Sequence, residues 1–66
     1  MLKGKTCEPN FLALEMLVEK ELGIEVYSTK EVCDGYLMKT NKGKLHIAVE
    51  ETLYEIKIID YIFLSN

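Results

Sequence analysis

Residues 53–64, with the sequence LYEIKIIDYIFL, decide the predicted fold. Within this stretch Tyr54, Ile56 and Ile58 share one parity, whereas Ile59, Tyr61 and Phe63 share the other. Side chains of a strand alternate between two faces, so this shift predicts a bulge or sharp bend between Ile58 and Ile59. Such a bend keeps both halves of the stretch facing one core. We therefore predict two short strands joined by a corner.

The chain before Gly23 has the pattern of a helix. Its apolar side chains recur every three or four residues, the spacing of one helix face: Phe11, Leu14, Leu17, Val18 and Leu22. The polar side chains predicted to face away from the core are Glu15, Glu19 and Lys20. Thr6 and Asn10 are both candidate N-caps, and Gly23 is placed to end the helix. These signals predict a helix over about residues 8–22.

Residues 24–64 carry the β-branched and aromatic alternation of short strands. Asp34-Gly35 falls inside the second of these strands, and Asn41-Lys42-Gly43 is the strongest turn signal in the chain. We predict a single domain, residues 1–66, that is mainly β with one N-terminal helix. The strands are predicted to form a small, strongly bent, five-stranded antiparallel barrel.

Length and charge restrict the classes of function. A chain of 66 residues buries little apolar surface, so its stability usually needs a disulfide, a metal or association with further copies. The net charge is −3 and the pI is about 5.0, which excludes a protein that coats nucleic acid through bulk positive charge. All eight basic residues are lysines, so no guanidinium group is present to grip a phosphate with two hydrogen bonds.

The two cysteines, Cys7 and Cys33, lie far apart and indicate a reducing, cytoplasmic compartment rather than a secreted disulfide scaffold. The polar residues after Met1 do not form a secretory signal, and Glu15 interrupts the apolar stretch near the start, so we predict no membrane association. His46 is the only histidine, and no ligand spacing supports a zinc site or a cysteine–histidine catalytic pair. We expect no metal, no cofactor and no enzymatic activity.

The order of one helix and five bent strands resembles the Sm-like family and, within it, the bacterial RNA chaperone Hfq. Residues 9–14 are similar to the opening helix of that family, Gly35 falls where its second strand bends, and residues 45–50 resemble its third strand. The resemblance implies a ring of copies that binds single-stranded RNA. The Lys-His pair that contacts RNA in that family is replaced here by Glu55-Ile56, so the usual uridine site is not matched.

The residues left to bind RNA are two tyrosines, whose rings can stack on bases, and the lysines around the predicted turn. The candidate nucleic-acid-binding residues are Tyr27, Tyr54, Lys39, Lys42 and Lys44. A second interpretation of the lysines is a solvated hairpin tip that protects strand edges from aggregation.

The end of the chain is the candidate subunit interface, because it carries apolar side chains on both faces of a terminal strand: Tyr61, Ile62, Phe63 and Leu64. The alternative is that the helix covers one face and the barrel interior the other. Our leading hypothesis is a non-enzymatic, self-associating small barrel that resembles the Sm-like fold, forms a homo-oligomer and acts in the cytoplasm as a regulatory module or as one that binds single-stranded RNA. The alternatives are a small acidic adaptor or inhibitor that binds a protein partner, and an SH3-like metal-regulatory domain.

Overall fold

The computed structural model describes residues 1–64. One helix and five strands follow one another in this order: β1 (Thr6–Cys7), α1 (Phe11–Leu22), β2 (Val26–Val32), β3 (Gly35–Thr40), β4 (Gly43–Glu51) and β5 (Ile56–Leu64). The strands form an antiparallel sheet in the order β1-β5-β4-β3-β2. This sheet curls into a half-barrel, and α1 packs against its inner face. The prediction of a mainly β fold with one helix and five antiparallel strands is confirmed.

The identity of the five strands differs from the prediction. Cys33 and Asp34 form the turn between β2 and β3, so Asp34-Gly35 does not lie inside a strand. The C-terminal stretch is one strand, β5, rather than two, because a bulge absorbs the change of face without breaking the ladder. The remaining strand is β1, which precedes the helix and pairs with Ile56 and Lys57.

The predicted bulge at Ile58 and Ile59 is confirmed. Ile58 pairs with Val49 of β4 and Asp60 pairs with Ala48, which leaves Ile59 as the extra residue on β5. Paired residues share a face of the sheet. The pairs beyond the bulge are Tyr61 with the buried Ile47 and Phe63 with the buried Leu45. Both halves of β5 therefore direct one set of side chains to the inner face, as the sequence predicts.

The helix begins three residues later than predicted. Asn10 is the N-cap, and its side-chain oxygen accepts a hydrogen bond from the backbone N–H of Ala13 at 2.8 Å, whereas Thr6 belongs to β1. Gly23 ends the helix with φ 65°, the left-handed conformation that favours glycine. Its N–H donates to the Glu19 carbonyl at 2.9 Å. The predicted end at residue 22 is confirmed.

Two acidic side chains of the helix face the sheet, contrary to the prediction. The Thr29 hydroxyl of β2 donates a hydrogen bond to the Glu15 carboxylate. The backbone N–H of Val26 donates to the Glu19 carboxylate at 2.9 Å. Both glutamates are half-buried. They lie beside the apolar stripe and satisfy polar groups of β2, which the half-barrel brings next to α1.

The inner face of the half-barrel holds the hydrophobic core. The core residues come from the N-terminal segment, the helix and all three long inner strands: Leu2, Leu14, Val18, Ile24, Tyr36, Met38, Leu45, Ile47, Ile56 and Ile58. The turn that connects β3 and β4 is the predicted one, with Gly43 at φ 108°. It and the start of β2 lie at one end of the sheet, and the loop of residues 52–55 lies at the other.

Candidate functional site

A group of lysines lies at the end of the sheet that carries the β3–β4 turn. Lys39 of β3 and Lys44 of β4 pair directly. Their neighbours Met38 and Leu45 are fully buried in the inner face, so the two lysines stand on the outer face. Lys42 lies in the turn that joins the two strands. The structure therefore brings together the three lysines that the sequence singled out.

A fourth lysine joins this group. Lys30 of β2 pairs with Leu37 on the outer face, two residues along the strands from the Ser28–Lys39 pair. We call Lys30, Lys39, Lys42 and Lys44 the lysine cluster. Lys30 was not predicted from the sequence because its neighbours in space come from β3. Once the register is known, the alternation of side chains along β2 places Lys30 on the outer face.

The lysine cluster is an unneutralised patch of positive charge. Among residues 1–64, none of its four ammonium groups forms a salt bridge. Like charges directly opposite one another on neighbouring strands, as in the Lys39–Lys44 pair, destabilise a sheet by about 0.2–1 kcal/mol. A bound anion would relieve this repulsion. The chain has a net negative charge, but this local patch is positive and would attract anions.

The two candidate tyrosines lie at opposite ends of the sheet. Tyr27 occupies a bulge at the start of β2, where the register with β3 shifts, and it is exposed. Two hydrogen bonds between Glu25 and Asn41, both 3.0 Å long, tie this start to the turn that carries Lys42. Tyr54, with 84% of its surface exposed, lies in the loop of residues 52–55 at the other end. The lysine cluster and Tyr27 therefore share one end, and Tyr54 does not.

The last part of β5 has a free edge. β1 pairs with Ile56 and Lys57, and residues 4 and 5 extend the hydrogen bonding to Ile58. Residues 60–64 pair with β4 on one side, and no strand within residues 1–64 pairs with their other side. We call this unpaired side of residues 60–64 the open edge. The helix and the sheet cover its apolar side chains only in part, since Tyr61 packs against the core but Ile62 is 60% exposed and Phe63 is 40% exposed. All four predicted interface residues lie on this open edge.

The outward side of the helix is apolar rather than acidic. Leu12 and Met16, one turn apart, are 67% and 59% exposed. Glu15 and Glu19 bond to β2, and the Glu21 carboxylate accepts a hydrogen bond from the amino group of Met1 at 3.0 Å. That hydrogen bond is the main reason why the pKa of Glu21 lies below its usual value. These three acidic side chains of the helix are therefore engaged in contacts within the chain.

His46 and Asp34 form a contact that sequence spacing did not reveal. The His46 Nε2 atom lies 2.9 Å from the Asp34 Oδ1 atom on the outer face. Burial, followed by the charges of Glu51 and Glu8, raises the pKa of the Cys7 thiol, so Cys7 is not an activated nucleophile. Residues 1–64 contain no group of three or more His, Cys, Asp or Glu side chains arranged to hold a metal ion.

In the part of the chain that the structure describes, no helix combines the length and apolar character that crossing a membrane requires. Comparison of the chain with protein-family models, with curated proteins and with solved structures finds no match.

Proposed function

We propose that the protein is a non-enzymatic binding module of Sm-like type that acts in the cytoplasm as an assembly of its own copies. The observation that carries this proposal is the open edge of β5, where four consecutive residues after Asp60 are apolar. Exposed apolar edge strands pair with further chains unless charge, proline or a covering element prevents it. Both cysteines are free, in keeping with a reducing compartment and with association, rather than a disulfide, as the added source of stability.

Light scattering coupled to gel filtration tests this proposal. Between about 5 and 500 µM, we expect the mass to exceed that of the 7.6 kDa chain and to rise with concentration, because association follows mass action. Ile62→Lys places a charge on the open edge and returns the protein to the monomer. Tyr54→Lys adds the same charge at an exposed position away from that edge and leaves the mass unchanged. A wild-type monomer throughout this range would refute the proposal.

Single-stranded RNA is the ligand that the lysine cluster and Tyr27 favour for this assembly. The lysines supply contacts to phosphates, and the exposed ring of Tyr27 at the same end of the sheet supplies a surface on which a base stacks. Titration with U-rich and A-rich oligoribonucleotides, at low and at moderate salt, tests this assignment. We expect binding at low salt that weakens as salt increases. An assembly that binds neither oligonucleotide at low salt would eliminate RNA and retain self-association.

A protein-binding adaptor is the second candidate function, and the exposed pair Leu12 and Met16 favours it. Apolar residues spaced by one helical turn are the usual anchors of helix-mediated recognition. In that case the contact surface is this apolar pair and not the acidic face of the helix. The adaptor function would be identified if the protein does not bind RNA and if binding of a protein partner is lost in Leu12→Asp but kept in Ile62→Lys.

A further inference from the structure

We infer that two copies of the chain associate through β5 itself, antiparallel and about a two-fold axis at Ile62, so that two half-barrels share one continuous sheet. This inference rests on the proposed self-association and specifies its geometry. The open edge of one copy pairs with the open edge of the second copy, rather than with any other strand.

The opposite edge of the sheet, strand β2, explains why β5 pairs with β5 of the second copy. The exposed edge strand β2 has a polar sequence over Ser28, Thr29, Lys30 and Glu31, and a bulge at Tyr27. Charges and bulges are the features that prevent an edge strand from pairing. If β5 paired with β2 of another copy, apolar side chains would lie beside charged ones. Among the strands of residues 1–64, only β5 has an apolar open edge, so the matching edge is that of β5 in a second copy.

The described residues of the open edge and the charges beside them are the basis for the register that we infer. Two identical antiparallel strands related by a two-fold axis pair about the midpoint of the shared segment, and the midpoint of residues 60–64 is Ile62. Ile62 then opposes Ile62 of the second copy, Tyr61 opposes Phe63, and Asp60 opposes Leu64. Every pair joins residues of the same face, because Tyr61 and Phe63 belong to the inner face and the others to the outer face.

This register also places opposite charges near each other. Lys44 pairs with Leu64 within one copy, and Leu64 opposes Asp60 of the second copy. Two strand spacings, about 10 Å between Cα atoms, separate Lys44 from that aspartate on the outer face. The Asp60 carboxylate is 64% exposed and contacts Lys3 of its own chain at 3.5 Å, so it remains accessible to a second ammonium group.

Site-directed cross-linking tests this geometry. In a Cys33→Ser background, which removes the exposed thiol, Ile62→Cys places a thiol at the two-fold axis. Lys30→Cys is the matched control, because Lys30 lies in the same row of the sheet, on the opposite edge strand. After oxidation with diamide, we expect at least tenfold more covalent dimer from Ile62→Cys than from Lys30→Cys. The Cys33→Ser chain alone measures any contribution from Cys7.

A second measurement covers the case in which a new cysteine disturbs folding. Lys44→Glu should raise the dissociation constant of the dimer at least threefold. Lys39 is the cross-strand neighbour of Lys44, and the same charge reversal there, Lys39→Glu, should change the dissociation constant less. Assembly without a cross-link at Ile62, or a mixed cross-link between Lys30→Cys and Ile62→Cys chains, would overturn the inferred geometry and retain self-association. A monomeric wild-type chain would instead refute the proposed function.

Discussion

At the scale of single residues, Gly35 is the position that tolerates a side chain least. A Cβ atom there would lie 1.9 Å from the Ile47 carbonyl oxygen and 3.2 Å from the Cα atom of Ala48. Both are backbone atoms of β4, so no side chain can move to make room. The absence of a side chain lets β3 and β4 approach closely where the sheet curls.

Gly35→Ala should therefore lower the free energy of unfolding by about 3 kcal/mol, the upper end of the cost of overpacking. Gly43→Ala is the matched control, because a Cβ atom there meets only one atom, the Leu64 carbonyl oxygen at 4.0 Å. The cost at Gly43 arises from its positive φ and should be about 1–2 kcal/mol. Urea denaturation of both variants measures the difference. Equal losses would show that the close approach at Gly35 is not real.

Tyr36 links the stability of the core to pH. Its hydroxyl group donates a hydrogen bond of 2.6 Å to the Glu51 carboxylate. Burial of the ring, then this hydrogen bond, raises the pKa of the Tyr36 phenol well above its usual value of 10.0. The folded protein therefore holds the phenol proton at pH values where the unfolded chain releases it. The resulting stabilisation is complete below pH 10 and decreases as the pH rises above that value.

Tyr36→Phe should flatten the decrease in unfolding free energy above pH 10. The loss of the hydrogen bond lowers stability by a constant amount, so the slope against pH is the informative quantity. Tyr54→Phe serves as the control, because the Tyr54 side chain is exposed, and it should keep the wild-type slope. Urea denaturation at several pH values between 8 and 11 provides the measurement. A wild-type slope in Tyr36→Phe would contradict the role assigned to this phenol.

At the scale of secondary-structure elements, the bulge in β5 makes one residue dispensable. Deletion of Ile59 should leave a regular ladder, because Ile58 and Asp60 already pair with consecutive residues of β4. We expect a folded protein that loses less than about 2 kcal/mol. Deletion of Lys57 should be far more damaging, because it shifts Ile56 away from the inner face. Thermal melts followed by circular dichroism compare the two, and equal melting temperatures would argue against the observed register.

Local patterns predicted the elements whose signals lie within a few residues. The change of parity at Ile58 predicted the bulge, and Gly23 predicted the end of the helix, whereas Asn10 was one of two candidate N-caps and the helix start was predicted three residues too early. In contrast, β1 has two residues and pairs with a segment about 50 positions away, so no local alternation indicates it. The contacts of Glu15 and Glu19 depend on where the curled sheet places β2, which helix periodicity does not encode. The same reason explains why Lys30 and the His46–Asp34 contact were missed.

At the scale of the whole molecule, the lysine cluster is a local concentration of positive charge on an acidic chain. The acidic side chains Glu15, Glu19 and Glu21 of the helix are engaged by β2 and by the amino terminus, whereas within residues 1–64 no lysine of the cluster forms a salt bridge. Net charge therefore describes solubility and not the local field. A ligand with several phosphates would experience that field mainly at the end of the sheet that carries the β3–β4 turn.

For the proposed binding of RNA, this arrangement predicts limits on both its strength and its location. Combined Lys39→Glu and Lys44→Glu substitutions should weaken binding of an oligouridylate at least tenfold at low salt, since they replace two attractive contacts with repulsive ones. Tyr54→Ala, at the opposite end, should change the affinity less than twofold. With four lysines available, the logarithm of the affinity should fall with the logarithm of salt concentration at a slope no steeper than about −3. Fluorescence anisotropy measures all three quantities, and a loss on Tyr54→Ala equal to that of the lysine variant would place the RNA elsewhere.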